Sequence, residues 1–300
     1  MKLTHITGST FCLTGKTAIG VYRFDGNKCI LIDNGYSKEY DELISALRDS
    51  HLEPAALIVS HAHLDHHGNS KRLREHFGIP LAMPLAEAAL ASSKAALDRY
   101  TNYFGRSREE QISIDRFQIC QVDRLILPEE TEISLCGISL RIYHLPGHSF
   151  DHIAVVTPDD VCFGGDILLT ERVLRHVKLP YCDHVRLDLA SKEKIASLPY
   201  RHWIFSHTGP VEGDIQELSE KNRALILRRL DELCELLTTP MTRDQFYQAS
   251  RVFLDMHIGA ADQLIRQERH LYPYLEDLVT TGRAAMEVRD KMIYYRKAQF

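Results

Sequence analysis

The chain has 300 residues, of which 44% are hydrophobic and 26% are charged, as is typical of a globular protein. Its net charge of −5 argues against a dedicated nucleic-acid-binding protein, because such proteins usually carry a basic surplus. No apolar run is long enough to span a membrane, and the N-terminal segment lacks the apolar core of a signal peptide. Seven cysteines without a C-x-x-C pair indicate reduced thiols, so we expect a cytoplasmic protein.

Strands and helices alternate in the first 80 residues. The segments TAIGVYRF and KCILID flank the turn DGN and predict a β-hairpin. EYDELISALRDS has the apolar spacing of a helix, and AALIVS predicts a short buried strand. HGNSKRLREHFG predicts the next helix. The loop between this strand and this helix is a position where α/β folds commonly place functional groups.

That loop carries the sequence HAHLDHH, from residue 61 to residue 67. His61 and His63 are two positions apart, so on an extended segment they point the same way, whereas Asp65 and His66 can face a second, adjacent position. Imidazole and carboxylate groups are ligands that zinc and similar divalent metals prefer. The alternative is a surface histidine cluster or a solvated helix cap. We expect His67 to be exposed and to have no role.

Three later segments each place one polar side chain after a predicted apolar strand. ISLRIYHLPGHS leads to His148, VCFGGD leads to Asp166, and HWIFSHTG leads to His207. Glycine beside each of them allows backbone to approach closely. One such position would be weak evidence for a site. Three of them, together with the histidine-rich loop, favour a metal centre over packing.

These motifs resemble those of the metallo-β-lactamase superfamily of hydrolases, which includes glyoxalase II-like and β-lactamase-like enzymes. Its signature is H-x-H-x-D-H followed by separate His, Asp and His motifs. All five motif regions are present, as LID at Asp33, HAHLDH, PGHS, GGD and SHTG. The resemblance covers roughly residues 1 to 212. It implies an α/β fold of four layers, an αββα sandwich, with the metals at one edge of the two sheets.

The resemblance also implies roles for particular residues. It assigns ligands to two metal ions, the first held by His61, His63 and His148, the second by Asp65, His66 and His207, and both by Asp166. Asp65 would also orient the metal-bound water, and Asp33 would steady the metal-binding loop. For Asp33 the alternative is a turn former before Asn34. Tyr181 and His184 lie in a region that borders the substrate in similar enzymes.

The metals define the expected reaction. Two divalent ions, zinc first and manganese or iron as alternatives, would generate a hydroxide that attacks an ester, thioester or lactone carbonyl of a small molecule. The competing function is a metal-dependent phosphodiesterase or ribonuclease. An iron-dependent oxidoreductase acting on sulfur compounds is a third hypothesis. β-Lactam cleavage is not expected, because that activity belongs mainly to exported proteins, and a non-enzymatic role would require a broken ligand set.

A helical insertion at about residues 85 to 118 departs from a minimal core. Its sequence is mostly helical in period and clusters Tyr100, Tyr103 and Phe104. Long excursions in compact domains are often functional, so we expect the insertion to form a lid over the cleft. Packing on the outside of the domain is the alternative.

Residues 213 to 300 predict three helices, the third broken near Pro273, and then a hairpin. This order resembles a winged helix. The segment holds 13 Lys or Arg and 14 Asp or Glu, a net charge of −1. That balance favours protein contact, homodimerisation or cleft closure over nucleic-acid reading. A helical cap that only completes the core is the simplest alternative.

Overall fold

The computed structural model of the chain describes residues 1 to 101 and 107 to 298. Its first sheet has seven strands in the order β1-β2-β3-β4-β5-β6-β7. These strands and their helices are β1 (Lys2–Thr7), β2 (Thr10–Thr14), β3 (Ile19–Phe24), β4 (Lys28–Ile32), α1 (Tyr40–Asp49), β5 (Glu53–Ile58), α2 (Ser70–Phe77), β6 (Leu81–Pro84), α3 (Leu85–Ser92), α4 (Lys94–Thr101), α5 (Arg108–Ser113), a π-helical turn (Ile114–Gln118) and β7 (Arg124–Ile126).

The second sheet has six strands in the order β13-β12-β11-β10-β9-β8. Its elements are β8 (Glu132–Leu135), β9 (Ile138–His144), β10 (Ile153–Val156), β11 (Val161–Gly165), α6 (Glu171–Leu174), α7 (Val185–Ala196), β12 (His202–Phe205) and β13 (Gly209–Glu212). The predicted hairpin of β3 and β4 and the predicted helices α1 and α2 are confirmed.

Strand β4 shows why the two sheets stack. Its residues are hydrophobic on both faces, so each face must be buried. Ile30 points into the core between the two sheets, where it belongs to the same buried cluster as Phe163 and Ile204 of the second sheet. Leu31 points the other way, into a core shared with Leu43 of α1.

On the far side of the second sheet, Ile195 of α7 packs with Trp203 and Phe205. Helix, sheet, sheet and helix therefore form four layers, and the predicted αββα sandwich is confirmed.

The C-terminal region contains three helices and a small sheet, with strands in the order β14-β16-β15. Its elements are α8 (Gln216–Glu235), β14 (Met241–Thr242), α9 (Arg243–Phe253), α10 (Ala261–Thr280), β15 (Ala284–Arg289) and β16 (Met292–Lys297). The predicted break near Pro273 is wrong, because α10 continues through this residue. Buried neighbours such as Leu271 and Tyr274 hold the helix together where proline removes a hydrogen bond.

The core of the C-terminal region is shared with helix α7. Val185 and Leu189 of α7 belong to the same buried cluster as Leu230 of α8 and Leu271 of α10. The division at residue 213 and the winged-helix assignment therefore stay predictions. Across the described parts of the chain, no helix combines the length and hydropathy needed to cross a bilayer.

Candidate metal centre

The predicted ligands converge at the ends of strands β5, β9, β11 and β12, and glycine shapes two of the turns that bring them there. Gly147 precedes His148 with a φ of +125°, and a Cβ on it would lie 2.1 Å from the backbone nitrogen of Asp188. Gly165 precedes Asp166 with a φ of +57°, and a Cβ on it would lie 2.4 Å from Nε2 of His152. Only glycine fits both the conformation and the space at these two turns.

The predicted ligand atoms form two clusters. Within each cluster all ligand atoms lie within 4.8 Å of one another, and Asp166 belongs to both clusters. In the first cluster, His63 Nδ1 lies 2.9 Å from His61 Nε2 and 3.2 Å from His148 Nε2. His148 Nε2 lies 3.4 Å from Oδ2 of Asp166.

The second cluster contains Asp65, His66, Asp166 and His207. His66 Nε2 lies 3.4 Å from Asp65 Oδ2 and 3.2 Å from Asp166 Oδ1. His207 Nε2 lies 3.5 Å from Asp65 Oδ2 and 3.1 Å from Asp166 Oδ2. The structure thus brings all seven predicted ligands together, although their role as ligands stays a prediction.

Hydrogen bonds on the far side of two imidazoles orient nitrogen lone pairs into the clusters. Asp33 is fully buried, and its Oδ2 accepts from His66 Nδ1 at 2.6 Å and from the Ser60 hydroxyl at 2.8 Å. The Ser60 oxygen in turn lies 3.0 Å from His61 Nδ1, which can donate to it. With Nδ1 as the donor, the neutral rings of His61 and His66 present an unprotonated Nε2 to the clusters, as metal-ligating histidines do.

Buried atoms without partners test whether this donor set suits a metal. His66 Nε2 and Asp166 Oδ1 are buried and make no hydrogen bond within the described residues, although 3.2 Å separates them. Native proteins rarely leave such atoms unsatisfied. The facing lone pairs of His61 and His63 would repel each other unless a cation lay between them. The residues therefore fit divalent metal ions.

The pKa values follow the same charge pattern. Burial alone would raise the pKa of Asp166, but the facing imidazoles of His66 and His207 hold that pKa well below its usual range. Burial would lower the pKa of His66, yet Asp166, Asp65 and Asp33 raise it well above its usual value. The second cluster therefore favours positive charge. Either a proton or a metal ion can occupy His66 Nε2, but not both at once.

Two supporting residues were missed by the sequence reading. Glu87 of α3 is fully buried and accepts from the Ala62 backbone N–H at 2.8 Å and from the Asp151 N–H at 2.9 Å, which joins the first two ligand loops. His152 is fully buried, and its Nε2 accepts from the Asp166 N–H at 3.1 Å. A glutamate in the apolar segment PLAEAAL was the available signal for Glu87.

One of the expectations about histidines is wrong. His67 is not exposed: only 2% of it is accessible, its Nδ1 accepts from the Ser70 hydroxyl at 2.7 Å, and its Nε2 donates to the Gln118 carbonyl at 2.9 Å. It therefore fastens α2 to the end of the helical insertion. His184 is exposed and accepts from the Leu187 N–H at the start of α7, and its contact with a substrate stays a prediction.

A cleft of about 450 Å³ opens beside the two clusters. Both segments that the sequence set apart contribute to it. The insertion provides Leu97, Tyr100, Glu110 and Ile114, and α10 provides Arg266, Arg269 and His270. Tyr181 lines the cleft, with its ring centroid 5.4 Å from those of His63 and His148. Tyr103 and Phe104 lie outside the described residues.

Known proteins share this architecture. The structure of a beta-lactamase domain protein from Burkholderia ambifaria covers 99% of this chain and 93% of its own, with a TM-score of 0.74 and 19% identity. The metallo-beta-lactamase family protein TTHA1429 from Thermus thermophilus covers 94% and 93%, with a TM-score of 0.70 and 18% identity. At these identities the likeness shows the fold alone.

Sequence comparison gives the family. Hydroxyacylglutathione hydrolase GloC of Haemophilus influenzae is 26% identical over 175 residues, which span 58% of this chain and 76% of that protein. A family model described as "Metallo-beta-lactamase superfamily" matches residues 14–232, which include every predicted ligand. The chain belongs to the metallo-β-lactamase superfamily.

Proposed function

We propose that the chain is a dinuclear metal-dependent hydrolase that cleaves an ester, thioester or lactone of a small molecule. The observation that carries this proposal is the pair of ligand clusters joined by Asp166. The relative from Haemophilus influenzae is named a hydroxyacylglutathione hydrolase, which agrees with hydrolysis of a thioester. The cleft volume of about 450 Å³ suits a small molecule.

The proposed ligands divide between the two ions. His61, His63 and His148 would hold the first ion, Asp65, His66 and His207 the second, and Asp166 both. Five imidazoles and two carboxylates favour zinc, with manganese or iron as alternatives. When bound, such a pair of divalent ions lowers the pKa of water and polarises the oxygen of the group that is attacked.

The chain's own residues position the reactants. Asp65 lines the cleft, and we assign it the role of orienting the attacking water, because its carboxylate lies between His66 and His207. Leu64, Leu97 and Ile114 supply apolar surface that excludes bulk water from the reaction. The insertion acts as one wall or lid of this cleft, and Asp33 holds the His66 ring in place.

Metal analysis combined with a substrate panel tests the proposal. Purified protein should contain close to two metal ions per chain, and chelation should abolish hydrolysis until metal is restored. The panel should include thioesters, lactones and phosphodiesters. Preference for phosphodiesters would replace the carbonyl substrate with the competing phosphodiesterase function. A protein that binds no metal and shows no activity after reconstitution would refute both.

A further inference from the structure

Four side chains from four separate segments form a chain of contacts from the first cluster to helix α10. We call His63, Tyr100, Asp183 and Arg269 the relay. The Tyr100 hydroxyl lies 3.4 Å from His63 Nε2 and donates its proton to Asp183 Oδ2. Because that proton is directed to the carboxylate, the Tyr100 oxygen accepts from His63 Nε2–H. The lone pair of His63 Nδ1 then faces His61 and His148.

Asp183 is the centre of the relay. Its Oδ1 accepts from the Tyr181 hydroxyl at 2.7 Å and lies 3.4 Å from Nη2 of Arg269. Arg269 also donates to the Tyr181 hydroxyl at 2.5 Å, and its guanidinium lies 4.1 Å from the centre of the Tyr100 ring. One arginine of α10 therefore fixes a carboxylate and both tyrosines by charge, hydrogen bonding and stacking.

The backbone of Asp183 reaches a second ligand loop. Its N–H donates to the Gly147 carbonyl at 2.7 Å, directly before His148. Two of the three histidines of the first cluster thus depend on the position of Asp183. The second cluster has a different support, because Asp33 holds His66 from the first sheet at 2.6 Å. His63 and His66 are therefore supported by separate parts of the molecule, although Asp33 also reaches His61 of the first cluster through Ser60.

We propose that the C-terminal region sets the geometry of the first metal site through this relay, with Tyr100, Asp183 and Arg269 as positioning residues for His63. This inference rests on the proposed dinuclear function. In this inference α10 lines the cleft and also positions a proposed metal ligand, His63, through Arg269. Hydrogen-bond partners behind metal-ligating histidines commonly change metal affinity by about 10–100-fold when they are removed.

The test is a Co²⁺ titration of the metal-free full-length chain under chelator competition, followed by visible absorption. Wild-type protein should give two dissociation constants, and His207→Ala identifies which of them belongs to the second site. Tyr100→Phe should weaken the first site by about 10–100-fold and spare the second. Arg269→Gln should weaken the first site in the same direction by a smaller factor, since Tyr100 and Asp183 remain.

Arg186→Gln is the matched control, because it removes another ion pair of α10, between Arg186 and Asp277 at 2.6 Å, without touching the relay. It should leave both dissociation constants at wild-type values. The inference is overturned if Tyr100→Phe leaves both sites unchanged or weakens both equally, if a folded Arg269→Gln leaves the first site unchanged, or if Arg186→Gln acts like Arg269→Gln. Tyr100→Phe keeps the ring that packs against Phe150, and Arg269→Lys, which keeps the positive charge, takes the place of Arg269→Gln if that variant does not fold. A wild-type chain that binds no Co²⁺ or Zn²⁺ refutes the proposed function instead.

Discussion

Asp166 stands 3.2 Å from His66 Nε2 through one carboxylate oxygen and 3.4 Å from His148 Nε2 through the other. A carboxylate that binds two ions, as proposed for Asp166, would set their separation and neutralise part of the charge of each. Asp166→Ala should therefore lose metal from both sites and lower turnover by several orders of magnitude. Elemental analysis and one hydrolysis assay measure both effects. A variant that kept two metals and full activity would remove Asp166 from the ligand set.

His67 is the neighbour of a proposed ligand, but its hydrogen bonds are structural. His67→Ala would leave the buried Ser70 hydroxyl without an acceptor and the Gln118 carbonyl without a donor. We expect the free energy of unfolding to fall by about 1–3 kcal/mol, because each unsatisfied buried group has a cost of this order. Urea denaturation measures this loss, while metal content should stay at two per chain.

Exposed His257 provides the control for that substitution. His257→Ala should change the free energy of unfolding by less than about 0.5 kcal/mol. Loss of metal in His67→Ala without loss of stability would show that His67 belongs to the metal site after all.

The end of strand β9 carries an ion pair that makes stability depend on pH. His144 Nδ1 donates to Asp151 Oδ1 at 2.7 Å, and this hydrogen bond raises the pKa of His144 above its usual value. A raised folded-state pKa gives stabilisation that is complete below about pH 6.5, the unfolded value, and disappears as pH rises through the folded-state pKa. His144→Gln should therefore lower the free energy of unfolding more at pH 6 than at pH 9.

Denaturation of His144→Gln and wild type at a series of pH values measures the difference. The Gln side chain can still donate to the Glu130 carbonyl that His144 Nε2 reaches at 3.1 Å, so mainly the pH-dependent part is removed. If the difference in unfolding free energy stays constant from pH 6 to pH 9, folding does not change the pKa of His144.

Among the elements, those with strong apolar periodicity were predictable and those supported by distant contacts were not. The ligand loops follow from short motifs, because glycine and polar residues directly after apolar strands are local signals. Glu87 reaches Asp151 across 64 positions and Arg269 reaches Asp183 across 86, so no local pattern reveals either contact. The prediction for His67 failed for the same reason, since the Gln118 carbonyl to which it donates is 51 residues away. Helix α10 continues through Pro273 because the packing of its buried residues outweighs the low helix propensity of proline.

In the whole molecule, the insertion and the C-terminal region meet over the cleft. Arg266 of α10 donates to Glu110 of α5 at 2.8 Å, and Arg269 lies over the ring of Tyr100 of α4. The two segments that depart from a minimal core therefore contact each other, and both line the cleft together with His63 and His148. Because α8 and α10 also share a core with α7, the region is joined to the rest of the chain by packing as well as by charge.

The charge of the C-terminal region predicts its affinity for nucleic acid. Residues 213 to 300 carry 13 Lys or Arg against 14 Asp or Glu. Several of these cations are paired with carboxylates, as Lys297 is with Glu235, Arg283 with Asp231, and Arg229 with Glu232. Paired cations neutralise few phosphates and release few counterions, so affinity for DNA or RNA should be weak or absent at physiological salt.

An anisotropy titration of the full-length chain with labelled single-stranded and duplex oligonucleotides measures that affinity. We expect binding no tighter than the range of about 10⁻⁴–10⁻⁶ M that describes non-specific complexes, with a small dependence on salt. The triple variant Glu217→Lys, Glu220→Lys and Asp231→Lys reverses charges on α8, and it should gain affinity that falls steeply as salt is added. Submicromolar, strongly salt-dependent binding by the unaltered chain would contradict this expectation. In that case the chain would be a nucleic-acid-binding protein, and a phosphodiester would become the first substrate to test.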